Sequence, residues 1–69
     1  MELFNLTRQE IRILQLICEE KSNEEIAQLL FVSKRTVEWH KNQILTKTGT
    51  KNIIGLFKYA VKNSLYNYA

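Results

Sequence analysis

Apolar residues recur along this chain at spacings of three and four, in blocks separated by short polar breaks. In the first block, Ile11, Ile13, Leu14, Ile17 and Cys18 follow Thr7-Arg8-Gln9-Glu10. Threonine with glutamate three residues later can satisfy two free amides reciprocally at a helix start. The spacing therefore predicts a helix over about 7–20, with Leu3, Phe4 and Leu6 ahead of it to cover a core. Ser22-Asn23-Glu24-Glu25 repeats the box and opens a shorter helix, about 22–30, with Ile26, Ala27 and Leu30 inward. Phe31-Val32 reads as a tight apolar connection to Ser33, which caps a third helix over about 33–48. On that helix Val37, Ile44 and Thr48 share one side, with Lys41 at its edge. Gly49 suits a left-handed helix end. Asn52 caps a fourth helix, about 52–63, whose stripe is Ile53, Leu56, Phe57, Ala60 and Val61. Ile54, Tyr59, Leu65, Tyr66 and Tyr68 exceed what one small core needs, so part of this material is expected at a contact.

The pattern implies an all-α, four-helix bundle-like domain. The segments 22–30 and 33–48, joined by a short turn, form a helix-turn-helix over about 22–48. With 69 residues, no proline and two glycines, the chain reads as one helical domain, 1–69, without an internal linker. A single cysteine excludes an internal disulfide and fits a reducing compartment. No apolar run reaches the roughly 20 residues that span a bilayer, and no signal-peptide pattern opens the chain. A cytoplasmic location with no membrane partner is the expectation.

Charge changes the picture. Residues 1–32 hold three basic side chains against six carboxylates; residues 33–69 hold seven against Glu38 alone. The positive half is the one with the third helix, as expected of a surface that meets a polyanion. The outward side of that helix carries Arg35, Glu38, Trp39, Asn42, Gln43 and Thr46. Arg, Asn and Gln match the donor and acceptor patterns of base edges, and an outward tryptophan is an unusual choice for a face meant only for water. Lys34, Thr36, Lys41, Lys47 and Lys51 stand as phosphate partners, with Asn23 joining them at the free amides of the second helix. Catalysis finds no matching constellation: there is one cysteine, one histidine, no glycine-rich phosphate loop and no zinc ligand set. No cofactor is expected. Glu24 and Glu25 are accounted for by the dipole of the helix they open.

The stretch from Leu6 to Asn52 resembles the DNA-binding domain of LuxR/FixJ (GerE-type) regulators. The resemblance rests on Leu6-Thr7 with Glu10, Ser22-Asn23 followed by Ile26-Ala27, Leu30 with Ser33, Thr36-Val37, His40, Ile44 and Lys47, and it extends to about Ala60. It implies sequence-specific binding of double-stranded DNA, a recognition helix over 33–48 in the major groove, and His40 at the DNA edge of that helix. It implies a homodimer through the fourth helix, RNA polymerase as a further partner, and a receiver or sensor domain ahead of Met1, as in two-component response regulators. The chain departs from the family at Glu20, where glycine is usual, and at Thr48, where leucine is usual. It departs again at Glu38, where a basic residue is frequent, and at Trp39, where a small one is. Glu38 would repel phosphate yet can accept from a cytosine amino group; Trp39 can pack on thymine methyls or sugar. The competing expectation is a protein-interaction module that keeps the fold without binding DNA.

Overall fold

The computed structural model describes residues 6–67, and four helices make up most of them: α1 (Arg8–Cys18), α2 (Asn23–Leu30), α3 (Lys34–Thr48) and α4 (Ile53–Lys62). Leu3, Phe4 and Tyr68, expected around the core or at its surplus edge, lie outside the described residues. Every helix starts on a side chain that accepts from the third residue of its first turn. The Thr7 and Ser22 hydroxyls accept from the Glu10 and Glu25 amides at 3.1 Å, while Glu10 and Glu25 accept in return from the Thr7 and Ser22 amides at 2.8 Å. Ser33 and Asn52 serve α3 and α4 through the Thr36 and Gly55 amides, at 3.1 and 2.9 Å. Each such cap contributes about 1 kcal/mol.

The ends follow a second rule. Glu20 (φ 65°), Phe31 (φ 58°), Gly49 (φ 72°) and Ser64 (φ 60°) each turn the chain out of a helix in the left-handed conformation. The residue after each donates back across the last turn: Lys21 to Leu16 at 3.1 Å, Val32 to Ala27 at 3.0 Å, Thr50 to Leu45 at 3.1 Å and Leu65 to Ala60 at 2.8 Å. Only Gly49 does this without a Cβ; for the other three the conformation costs about 1 kcal/mol or more. The turn at Glu20 stops α1 at Cys18, two residues before the expected end. Glu20→Gly is therefore expected to raise the unfolding free energy by about 0.5–1 kcal/mol, the relieved strain being partly offset by added freedom in the unfolded chain. Urea denaturation checks this; an unchanged or lower midpoint would show that the turn is unstrained.

Ile13, Leu14, Ile26, Val37, Ile44 and Leu56 are fully buried and form the centre. α3 packs against α1 and α2 and touches α4, while α4 leans chiefly on α1. Covered from two directions, α1 also buries Leu16, which falls outside the expected stripe. α4 shows the reverse. Leu56 and Ala60 are buried, Phe57 is half-buried, and Ile53 and Val61 stay 41% and 40% exposed, so its inward stripe is narrower than the periodicity suggested. Phe31, expected to seal the α2–α3 connection, is 93% exposed, and Val32 alone turns inward. Beyond α4 the chain folds back: the Gln15 amide donates to the Leu65 carbonyl at 3.0 Å, and the Phe57 and Tyr66 rings meet at a tilt of 58°, 5.9 Å between centroids. Thr48 satisfies its hydroxyl at the core edge by donating to the Ile44 carbonyl at 2.8 Å.

Candidate nucleic-acid interface

Val37 and Ile44, both fully buried, fix which way α3 faces. With that side seated on α1 and α2, Lys34, Arg35, Glu38, Trp39, Asn42 and Thr46 stand in solvent. Arg35, Trp39, Asn42 and Thr46 succeed one another by four, three and four residues, a stripe roughly 16 Å long at the rise of a helix. Trp39 is 57% exposed. Its ring meets His40 edge-on, 5.1 Å between centroids and 70° between planes. Gln43, Thr36 and His40 are half-buried. The Thr36 hydroxyl shares a hydrogen bond with Ser33 at 2.9 Å, and His40 holds its Nδ1 buried without a hydrogen-bond partner among the described residues. His40 thus sits at the flank of the stripe and not on its crest.

Two of the residues expected at phosphates meet. The Lys41 ammonium donates to the Asn23 side-chain carbonyl at 3.0 Å, tying the first turn of α2 to the middle of α3. The amide nitrogen of Asn23 and the remaining ammonium protons of Lys41 are left for another acceptor. Lys34 is exposed on the first turn of α3, and Lys51 is exposed in the loop before α4.

Lys47, also expected at phosphate, donates to both carboxylate oxygens of Glu10, each at 2.9 Å. The Glu10 side chain is 6% exposed and that of Lys47 31%. Burial by itself would push the Glu10 carboxyl up; the Thr7 amide, then the hydrogen bond and charge of Lys47, outweigh it and hold the group below its ordinary value. Removing either partner would leave a buried charge uncompensated, so this lysine has a part in the fold whatever else it meets.

Asn52 and Ile53, the cap and first residue of α4, have a second place. They line a hollow of about 380 Å³ together with Glu38, Lys41, Asn42 and Leu45. That adjacency depends on the path of the α3–α4 loop, which no periodicity reveals. A second hollow, about 400 Å³ and mainly apolar, runs between the end of α1 and α4, lined by Ile17, Cys18, Ile53, Ile54, Phe57 and Tyr66 with Glu19 and Glu20 at its edge. Ile54 is 69% exposed there. Burial and the charge of Glu19 raise the Cys18 thiol above its usual range, which keeps it a packing residue. Among the described residues no three of His, Cys, Asp and Glu cluster as metal ligands, and no helix is long and apolar enough to cross a membrane.

Comparison with known proteins gives a consistent result. The family model for bacterial regulatory proteins of the luxR family matches residues 4–60. The oxygen regulatory protein NreC of Staphylococcus aureus is 46% identical over 63 residues, which are 91% of this chain and 29% of that protein. Among solved structures, the response regulator ChrA of a heme-sensing two-component system superposes with a TM-score of 0.82 at 32% identity, over 94% of this chain and 32% of ChrA. VqmA of Vibrio cholera, solved as a complex with ligand and DNA, superposes with a TM-score of 0.84 at 25% identity, over 94% of this chain and 28% of VqmA. The chain thus spans under a third of the length of these relatives.

Proposed function

The chain belongs to the luxR family of bacterial regulatory proteins, and from that premise we propose that it binds double-stranded DNA in a sequence-specific manner, with α3 in the major groove. One observation carries the reading: a helix pinned inside by Val37 and Ile44 presents Arg35, Trp39 and Asn42 together in solvent, in the positive half of the chain. Arg35, Glu38, Trp39, Asn42 and Gln43 address base edges and sugars, and His40 supports them from the flank. Lys34, Thr36, Lys51 and the joined pair Asn23 and Lys41 take phosphates on either side. Lys47 stands at the far end of the same helix, paired with Glu10.

Two copies bind as a homodimer on two half-sites, through α4. The exposed Ile53, Ile54 and Val61 and the apolar hollow beside them supply surface for that contact. In the cytoplasm the domain delivers the output of a transcription regulator, within reach of RNA polymerase and under the control of a receiver or sensor domain. No step calls for a catalytic group or a cofactor.

The test is a gel shift with random-sequence duplex at two salt concentrations. Binding at low salt that weakens steeply as salt rises is expected, because released counterions drive contacts to phosphate. Lys41→Ala should weaken binding to all duplexes alike and reduce the slope of log affinity against log salt by about one unit. A changed base preference in that variant would move Lys41 from phosphate to base. Absence of binding by the parent chain even at low salt would replace the proposal with a protein-interaction module on the same fold.

A further inference from the structure

Glu38 is the single carboxylate among residues 33–69, and it stands on the outward side of α3 between Arg35 and Asn42. A glutamate with a lysine three residues on would ordinarily pair with it on a helix surface. Here Lys41 reaches to Asn23 at 3.0 Å instead, and Glu38 has neither an ion pair nor a hydrogen bond among the described residues. It opens into the hollow it shares with Asn42 and Asn52. An unpartnered carboxylate on a groove-facing helix is repelled by every phosphate it approaches, so it is tolerable there only opposite a donor.

The major groove offers carboxylates few donors. Guanine presents N7 and O6, and thymine presents O4 and a methyl group; both repel a carboxylate or leave it unbonded. Adenine offers its N6 amino group beside N7, whose lone pair faces the same oxygen pair. Cytosine offers its N4 amino group with no acceptor of its own next to it. Four residues advance about 6 Å along a helix against about 3.4 Å per base pair, so Glu38 and Asn42 address neighbouring positions up to roughly 1.8 base pairs apart.

We propose that Glu38 is a specificity-determining residue of this domain: it accepts a hydrogen bond from the N4 amino group of a cytosine and excludes guanine and thymine at one position of each half-site. This rests on the reading that α3 enters the major groove. It names the base class that reading leaves open.

The experiment is selection of bound duplexes from a random pool by the parent chain and by Glu38→Gln, at one salt concentration, with circular dichroism to confirm that both are folded. Glutamine keeps the size of the side chain and gains a donor, which suits adenine. The parent pool is expected to hold one position per half-site dominated by cytosine. In the Glu38→Gln pool that preference should fall at least about fivefold, with adenine gaining, while the other positions keep their bases. Affinity for unselected duplex should rise in the variant, since one negative charge is gone. Identical base preferences in the two pools, with only a uniform rise in affinity, would overturn the assignment of Glu38 and leave DNA binding intact. Failure of the parent chain to retain any duplex at low salt would remove the binding reading and this inference together.

Discussion

Glu10→Ala is expected to lower the unfolding free energy by about 3 kcal/mol, a large share of what a domain of this size holds in reserve. The Glu10 carboxylate does three things from a position only 4% exposed. It completes the N-terminal box of α1 through the Thr7 amide, it accepts both bonds from Lys47, and it thereby ties α1 to the last turn of α3. Removing one member of a buried ion pair typically costs about 3–5 kcal/mol, because the other is left charged without a partner. The Lys47 side chain is 31% exposed and can turn towards water, which places the expected loss at the lower end. Glu10→Gln separates the contributions: it keeps an acceptor for the Thr7 amide but removes the charge, so about half the loss is expected.

The same pair makes a pH prediction. The folded-state carboxyl is held below its ordinary value near 4.5. The stability it contributes is therefore complete above the unfolded carboxylate range and disappears as pH falls through the folded value. Urea midpoints measured from neutral pH downwards should decline below about pH 4.5 in the parent chain and decline less in Glu10→Gln. Equal midpoints for parent and Glu10→Ala at neutral pH, or equal pH slopes for parent and Glu10→Gln, would show that the pair is idle.

This pair also marks how far the chain could be read in advance. Helix starts were legible because their signals are side chains at fixed local offsets: Thr7 with Glu10, Ser22 with Glu25, then Ser33 and Asn52. Helix ends were legible only at Gly49. Glu20, Phe31 and Ser64 adopt the same left-handed turn without the residue type that advertises it, since cross-turn hydrogen bonds and burial of the next segment outweigh a cost of about 1 kcal/mol. The orientation of α3 followed from period alone, which is why Arg35, Trp39 and Asn42 stand where expected. Period tells the direction of a side chain around its own helix and nothing of what stands opposite. The pairing of Lys47 with Glu10, 37 residues earlier in the sequence, is accordingly invisible to it. The two exposed edges of α4 have the same cause: its stripe is real, but α1 covers most of what is covered and α3 only touches it.

Trp39→Ala should separate binding from folding. The side chain is 57% exposed and its described ring contact is the edge of His40, so the core formed by Val37, Ile44 and their neighbours is untouched. Stability should stay within about 0.5–1 kcal/mol of the parent, the upper part covering the lost ring contact. Affinity for a selected duplex should fall tenfold or more. A tryptophan contact offers some 150–250 Å² to bury, and residues of this kind dominate the energetics of interfaces when they sit at the centre of the contact. Because no charge is removed, the salt dependence of binding should keep its slope, the opposite of the outcome expected for Lys41→Ala. The parent chain supplies its own reporter. Trp39 is the single tryptophan, so its emission should shift to the blue when duplex removes it from water. Loss of helical circular dichroism in Trp39→Ala would make the ring a packing residue. Unchanged affinity together with unshifted emission would place the DNA against some other face of the domain, because a duplex lying along the Arg35–Thr46 stripe cannot avoid the side chain at its middle.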